Sequence, residues 1–514
     1  MRLLIWHGWL LEGAGSNVYT ARVTDVLRRR GHDVLLMCQE PHPERYEFLD
    51  GWGTVGPDGA SEIHTSGATP AAGRAVLLKP DIGHLLPVFV YDEYEGFEVK
   101  RFVDLTDDEL GAYLERNVVA LRGAATWHGP EALIAGHAVP GPVVARRAWA
   151  DGGYVAKIHG SDLEYAVRLQ VRYQQLAAEG LSGARAVVGA SADVLRRTAE
   201  LVPEVSGRTA VVFPGVDVER FRPLDRAESL SSAAELLVRD RALAAGRPPS
   251  MDDAVREALR ARDREALDRL ALGYDQGAPD RNAPDKLRAL AQEAGAVVGY
   301  IGKFIPQKGV HLLVSSLALS KARPRALLIG FGLWREWLTA LVQALDAGDA
   351  ESVAWIEANA GASSGLSPGA VRDAAGLAGR VTFTGRLDHR YAPEGLAALD
   401  VLVVPSILDE AFAMVAAEGA ATGALPLVAR HSGLAEVATV IERQVGRPGL
   451  FSFEPGPGAV GRLAQGLDRL LGLPHAERAE LRLAVSEVVN REWTWERTAE
   501  RLLAAARGSG SGSS

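Results

Sequence analysis

The chain has 514 residues, 47% hydrophobic and 24% charged, a balance that excludes a disordered or membrane-embedded class. Its length exceeds what one hydrophobic core organises, so two domains are expected. A formal net charge of -9 argues against nucleic acid as a partner, because neutralising phosphates takes a broad basic face.

The opening residues Met1-Arg2-Leu3-Leu4-Ile5-Trp6 lack the charged, apolar and small-residue pattern of a secretory signal. No apolar run approaches the roughly 20 residues of a membrane span. A cytoplasmic protein with no transmembrane segment is therefore expected. In chain order the pattern predicts a strand from Arg2 to Trp6, a Gly-bearing loop from Gly8 to Gly15, and an amphipathic helix from about Asn17 to Arg29. Gly31-His32 then leads to a second strand, Asp33 to Cys38, in which the single cysteine is expected as a small buried residue. With no second thiol it forms no internal disulfide, and with no Cys or His companions it forms no zinc site. Further strands are expected at Tyr154 to His159, Ala186 to Gly189 and Thr209 to Phe213. In the second half they fall at Ala296 to Ile301, Arg325 to Gly330, Val381 to Thr384, Val401 to Pro405 and Leu425 to Ala429. Short apolar strands alternating with helical periods signify parallel sheets with right-handed crossovers, here two doubly wound Rossmann-like domains.

Pro214-Gly215-Val216-Asp217 punctuates the end of the first series. From about Pro223 to Gln292 follows a charged, Ala- and Arg-rich stretch with helical spacing at Val255, Leu259, Leu267, Leu270 and Leu272. Alternating signs on a helix usually mean a solvated face, so this stretch is expected as an inserted helical subdomain. The run Val90 to Lys100 interleaves aromatics with acids. That composition suits stacking on a sugar, and equally a loop folded over its own domain. The last residues, 508–514, read as an appended flexible Gly-Ser linker outside the fold.

Four places carry residues suited to a diphosphate or a sugar, which call for backbone N–H groups, helix N-termini and cations. Gly13-Ala14-Gly15-Ser16 leads from the first strand into the first helix, and Gly15 lets a phosphate approach the backbone, although many such loops are only tight turns. In Gly302-Lys303-Phe304-Ile305-Pro306-Gln307-Lys308-Gly309 a strand ends in glycine and two lysines flank a turn, placing point charges against a diphosphate. Glu410-Ala411-Phe412-Ala413-Met414 follows an apolar strand, so the Glu410 carboxylate faces the ligand from the loop while Phe412, Ala413 and Met414 offer helix-start amides. An acid before a helix is also what the helix dipole alone favours. Glu418, two turns on, sits in apolar company that makes an unpartnered carboxylate costly, and can reach a ribose diol. His159-Gly160-Ser161-Asp162 ends a first-half strand, where a histidine can hydrogen-bond a sugar hydroxyl or move a proton. His128 and His137 are fainter candidates, and the histidines show no metal-ligand spacing.

The ordered set of motifs resembles the family 4 retaining glycosyltransferases of the GT-B fold. It comprises the Gly-containing first loop, Arg30-Gly31-His32-Asp33-Val34, His159 to Asp162, Pro214 to Asp217 with Phe221-Arg222-Pro223, and Gly302-Lys303 through Lys308-Gly309. It continues with Val381 to Arg386, Asp400 to Ser406, the two spaced glutamates, Ser432 to Glu436, and Trp493-Thr494-Trp495-Glu496-Arg497. The resemblance implies an α/β GT-B fold: two Rossmann-like doubly wound domains facing across a cleft, with an inserted helical stretch. The expected divisions are an acceptor-side domain at 1–213, the insertion at 223–292, a nucleotide-sugar domain at 293–488 and a terminal helix at 489–507 crossing back to the first domain. It further implies Glu410 on the transferred sugar, Glu418 on the ribose, Lys308 on the diphosphate with Lys303 and Gly302 beside it, and Phe412 to Met414 on sugar and phosphates. Arg386 would stand by the nucleobase edge, His159 by donor sugar and acceptor, and Gly15 by the distal phosphate.

The implied activity is transfer of a hexose from a nucleoside diphosphate sugar to an acceptor hydroxyl with retention, with neither cofactor nor metal. The retaining step is commonly described as front-face, the acceptor proton passing to the leaving phosphate. The partners implied are the nucleotide sugar and an acceptor that the motifs do not identify. Three departures stand out: Lys303 where the family usually has arginine, Ala413 where glycine is common, and the long 223–292 insertion. They motivate an alternative, a non-catalytic nucleotide-sugar sensor on the same fold; a phosphorylase or epimerase is a third reading.

Overall fold

The computed structural model describes residues 1–56, 58–59, 61–65, 72–90, 94–149 and 153–508. Its N-terminal strands are β1 (Arg2–Trp6), β2 (Asp33–Met37), β3 (Gly51–Val55), β4 (Ser61–Thr65), β5 (Ala75–Pro80), β6 (Leu85–Val88), β7 (Glu98–Arg101), β8 (Ala132–Gly136), β9 (Tyr154–Lys157), β10 (Ala186–Gly189) and β11 (Thr209–Val211). Nine of them form one sheet in the order β11-β10-β9-β8-β1-β2-β5-β3-β4, and β6 and β7 form a separate ribbon. The large sheet is parallel except where β4 runs against β3. Its central strands read as unbroken apolar runs because helices cover both faces: Leu3 to Trp6 and all of β8 and β9 are buried.

The later strands are β12 (Val297–Lys303), β13 (Arg325–Phe331), β14 (Val381–Gly385), β15 (Val401–Val404), β16 (Leu425–Ala429) and β17 (Ser452–Phe453). They form a second parallel sheet in the order β14-β13-β12-β15-β16-β17. The chain divides into one unit of Met1–Gly215 with Trp493–Ser514 and a second of Val216–Glu492. The helix Trp495–Arg507 belongs to the first unit: Thr498 Oγ1 donates to Phe213 O at 2.8 Å and the Trp495 ring meets Tyr19 edge-on at 5.8 Å. Residues 489–492 instead end the preceding helix, His475–Glu492. Among the described residues no helix is long and apolar enough to cross a membrane.

The structure adds β3 to β8 and β17 to the strands expected from the pattern. β3 is masked in the sequence by its glycines, Gly51-Trp52-Gly53, yet Gly53 is there for close approach: a Cβ on it would lie 1.8 Å from Glu62 O. Cys38 is buried, one residue beyond the end of β2. Tyr91, Asp92 and Glu93 of the aromatic-acidic run, and residues 509–514 of the terminal linker, lie outside the described residues.

The 223–292 stretch contains the helices Arg226–Val238, Met251–Ala261, Arg264–Leu270 and Ala283–Gln292 and is part of the second unit. Asp225 caps the first of these through the Glu228 N–H, and Asp263 caps the third through the Ala266 N–H. Arg226 is tied to Asp400, directly before β15, and donates to Ala398 O at 2.9 Å. Arg247, 2% exposed, makes a bidentate pair of 2.7 and 2.8 Å with the fully buried Glu336. The stretch is therefore anchored by charge on its inner side, while its outer charges form i,i+3 and i,i+4 pairs such as Arg256–Asp253 and Arg269–Glu265.

Candidate functional site

In each sheet the strand order reverses once, between β1 and β8 and between β12 and β15. Ligands of open α/β sheets bind outside the carboxyl ends of the strands at such switch points. In the second unit, β12 delivers Gly302 and Lys303 there, and β15 leads to Pro405, Ser406 and Glu410.

The turn Pro306–Lys308 ends in Gly309 at φ 68°, and a Cβ on Gly309 would lie 2.0 Å from Pro405 O. That close approach requires glycine and presses the lysine turn against the end of β15. Ile407 N–H donates to Gln307 O at 2.8 Å, fastening the two loops. Lys308 Nζ consequently reaches Glu410 Oε1 at 2.5 Å. The same oxygen accepts from Ser406 Oγ at 2.7 Å, and the Glu410 N–H donates to Ser432 Oγ at 3.0 Å. His431 closes the loop from behind, its Nε2 donating to Ser406 O at 2.7 Å. Both charged side chains retain exposure, 27% for Lys308 and 16% for Glu410, so the pair is reachable by an anionic ligand.

Beyond Glu410, Phe412 is buried and anchors the loop, and Ala413 takes the left-handed conformation, φ 63° and ψ 72°. The helix Met414–Ala421 starts after it, so the helix-start N–H groups belong to Met414 and Val415 rather than to Phe412 and Ala413, the Ala416 N–H being taken by Ala413 O at 3.0 Å. A non-glycine residue held at positive φ costs about 1–3 kcal/mol and persists where surrounding structure demands it. Glu418 lies on this helix, half-buried.

Lys303 and Arg386 stand farther along the same edge and share one ring: Lys303 Nζ lies 5.8 Å and the Arg386 guanidinium 5.1 Å from the centroid of Phe331, which ends β13. Gly302, at φ 151°, leaves room for Tyr300, whose hydroxyl donates to Lys303 O at 2.9 Å. Burial, with the Glu410 charge adding to it, pushes the Tyr300 phenol well above its ordinary value, so it stays neutral.

The first unit places His159 and Gly15. His7, His137 and His159 each follow directly on a strand or one residue beyond it, after β1, β8 and β9. The His137 and His159 rings are 4.5 Å apart, those of His7 and His137 5.9 Å, and Trp9 stands 4.4 Å from His137. His137 is 2% exposed, sits at φ 69°, and its Nδ1 has no hydrogen-bond partner among the described residues. Burial lowers His7 to about 4, and lowers His137 and His159 well below 6.5. Beneath them, burial lowers Lys157 to about 7, partly offset by Asp162, which accepts from Ala138 N–H at 2.5 Å and Gly160 N–H at 2.6 Å. Gly15 is the exposed first residue of the helix Gly15–Arg29, and Asn17 in its first turn accepts from His7 Nε2 at 2.9 Å. The structure thus groups the site residues in three sets: Lys308, Glu410 and Phe412 to Met414; Lys303, Gly302 and Arg386 around Phe331; and His159 with Gly15 in the other unit.

Sequence reasoning quoted Ser406 and Ser432 only as motif members; it assigned no site role to these serines, which hold Glu410, to His431, which holds Ser406, or to His7. A signal for His7 existed, since it is the residue after the first strand. The serines' contact with Glu410 had none, because it depends on loops 26 residues apart meeting in space. Among the described residues no group of three or more His, Cys, Asp or Glu side chains has metal-binding geometry.

Known structures share this architecture over nearly the full length. Sucrose-phosphate synthase from Thermosynechococcus elongatus matches at 17% identity and TM-score 0.57, covering 99% of this chain and 98% of that one. Anabaena HepE in complex with UDP matches at 14% and 0.58, covering 99% and 100%. The catalytic domain of starch synthase IV from Arabidopsis thaliana, bound to ADP and acarbose, matches at 13% and 0.53, covering 99% of each chain. The fold is that of the GT-B-type glycosyltransferases, with two Rossmann-like α/β domains. Residues 360–472, which include Arg386 and both spaced glutamates, match the family described as glycosyl transferases group 1. A 2-deoxystreptamine glucosyltransferase of Streptomyces kanamyceticus is 27% identical over 228 residues, 42% of this chain; the chain spans about half the length of that relative, 48%. The family match and the fold together support a glycosyltransferase.

Proposed function

We propose that the protein is a retaining glycosyltransferase that moves a hexose from a nucleoside diphosphate sugar to an acceptor hydroxyl without a metal. The observation that carries this reading is the Lys308–Glu410 pair at the switch point of the second sheet, held by Ser406 and Ser432 beside the helix that starts at Met414. Lys308 supplies a fixed positive charge where the diphosphate accumulates negative charge, and a preorganised charge of this kind is commonly the largest catalytic contribution. Glu410, already engaged by Lys308 and Ser406, acts as a positioning acceptor for sugar hydroxyls rather than as a nucleophile. In the transfer, the bond from the anomeric carbon to the phosphate oxygen breaks, the bond to the acceptor oxygen forms on the same face, and the acceptor proton leaves with the diphosphate. The UDP of the Anabaena structure and the glucosyl transfer in the name of the Streptomyces relative support a nucleoside diphosphate sugar as donor.

The test begins with thermal-shift screening against uridine, guanosine and adenosine diphosphate sugars, since binding raises apparent stability by mass action. Product anomeric configuration is then read by NMR with the donor so found. Lys308→Ala and Glu410→Ala are expected to leave almost no turnover. Full activity in either variant, or an inverted product, would overturn the assignment. A second reading, a nucleotide-sugar sensor, is motivated by the strained Ala413 and by Lys303; donor binding without transfer or hydrolysis across many acceptors would select it.

A further inference from the structure

The return segment of the insertion, Tyr274 to Asp280, runs along the carboxyl ends of β13 and β14. Asp280 N–H donates to Thr384 O at 2.7 Å, Arg386 N–H donates to Ala278 O at 3.3 Å, and Pro279 forms an antiparallel bridge with Gly385. The fit is close enough to require glycine, since a Cβ on Gly385, at φ 71°, would lie 2.5 Å from Asp280 N. At β13 the Gly332 N–H donates to Gln276 Oε1 at 3.2 Å, and Gln276 Nε2 in turn donates to Ala271 O.

Both ends of the segment are pinned by buried charge. Tyr274 donates to Glu336 Oε1 at 2.7 Å, on the carboxylate already held by Arg247. Asp280 pairs with Lys286 at 3.0 Å and Arg335 at 3.3 Å, and Arg335 lies 3.7 Å over the ring of Phe383 in β14. Burial pushes Glu336 and Asp280 upward, but these cations outweigh it and hold both carboxyls below their usual values. A loop fixed in this way is a preorganised wall rather than a solvated connection.

At the tip of the wall Asp275 Oδ1 accepts from the Gly277 N–H at 2.7 Å, which fixes the carboxylate and leaves Oδ2 as the acceptor, and Arg386 faces it as a donor. At Gly277, the position a Cβ would occupy is 3.1 Å from Asp275 Oδ1 and 3.7 Å from Arg386 Nη1. The Arg386 guanidinium rests over Phe331 and makes no side-chain hydrogen bond among the described residues. Gly277 and Asp275 are exposed.

We propose that Asp275, Gly277 and Arg386 form a base-reading notch: the insertion supplies half of the nucleoside end of the donor site and selects a base that has both a carbonyl oxygen and a ring N–H on its edge, uracil or guanine, over adenine. Arginine only donates and an ionised aspartate only accepts, so the notch pairs with a carbonyl and with a ring N–H respectively. Adenine has neither on its pairing edge, and a site built to bond such groups rejects an analogue that lacks them. The inference rests on the donor reading above and assigns a role to the part of the chain that departs most from the resembled family.

Titration calorimetry with UDP, GDP, ADP and inorganic pyrophosphate tests it on the full chain. Wild-type protein is expected to bind UDP or GDP at least ten-fold more tightly than ADP. Gly277→Leu fills the notch at an exposed position outside the left-handed region, where Asp275 Oδ1 at 3.1 Å has only to give slightly, and is expected to weaken the preferred nucleoside diphosphate at least ten-fold while pyrophosphate stays within two-fold. Asp275→Ala, at an exposed side chain, is expected to narrow the preference over ADP, and it carries the test if Gly277→Leu fails to fold. Unchanged binding in both variants, a wild-type preference for ADP, or equal loss of pyrophosphate binding would overturn the proposal. Wild-type protein that binds pyrophosphate but no nucleoside diphosphate would overturn the donor reading itself.

Discussion

The two switch points are built from opposite chemistry. The edge of the first sheet gathers His7, His137 and His159 among Trp9, Phe89 and Tyr19, with burial keeping the imidazoles neutral at pH 7. The edge of the second sheet gathers Lys303, Lys308, Arg386 and Glu410, each partly exposed. Neutral, desolvated rings, with His137 Nδ1 unpartnered among the described residues, suit uncharged hydroxyls, whereas partly exposed cations beside a helix start suit a diphosphate. One fold thus presents a low-charge edge and a high-charge edge by changing only the residues that follow its strands.

The largest expected effect breaks the charged side at its foundation. Arg247→Ala strands the fully buried Glu336 carboxylate and is expected to destabilise the second unit by about 3–5 kcal/mol, measured as an earlier urea midpoint. Arg247→Ala with Glu336→Leu should recover part of that loss, and no loss in the single variant would refute the anchoring role. Next, Lys308→Met is expected to lower kcat/KM by about 10²–10³-fold, as removal of one oxyanion-stabilising group does. His128→Asn, on the helix Asp107–His128, where Nε2 donates to Leu3 O near the start of β1 and away from the carboxyl edge of its own sheet, should leave kcat/KM within two-fold and serves as the control.

The neutral edge is probed by pH. His7, His137 and His159 are lowered from an ordinary 6.5 by burial. As pH falls through 6.5 the unfolded chain takes up protons that the folded unit refuses, so their stability contribution is present above 6.5 and declines toward the folded values. The expected slope is about 1.4 kcal/mol per pH unit for each histidine between pH 6 and 5. Lys157, already protonated in both states below about 7, adds no slope there. Asp162, raised by burial, opposes the trend between 3.8 and its folded value. Thermal midpoints at pH 7 and 5 that coincide would contradict this account. The smallest effect is at Ala413: glycine relieves the left-handed strain at the cost of a looser unfolded chain, so Ala413→Gly is expected to stabilise by about 0.5–1 kcal/mol. A destabilised variant would show that the methyl group packs productively.

Much of this contrast was legible in the chain. The strands Arg2–Trp6, Ala186–Gly189 and Leu425–Ala429 fall where their apolar runs place them. Lys308 and Glu410 could be marked as ligand-facing because each follows a strand. Their mutual contact was not readable, because it depends on Gly309 meeting Pro405 across 96 residues of chain. The insertion was misleading for a related reason: its surface charges dominate the pattern, while the buried Arg247–Glu336 pair and the Gln276 contact to Gly332 arise only when distant segments meet. Strands β3 and β5 escaped notice because Gly51, Gly53 and Pro80 read as breakers, although in a sheet they mark close approach and a strand end.

The return of Trp495–Arg507 to the first unit sets an order on synthesis. Tyr19 and the helix Gly15–Arg29 are translated before the second unit, yet the helix that covers them emerges only after the whole of that unit. During translation the second sheet can complete its core while the first still exposes an apolar face. A ribosome stalled before Trp495 would therefore hold one finished unit and one unfinished one. The helix Trp495–Arg507 is thus the closing step of the first unit's folding.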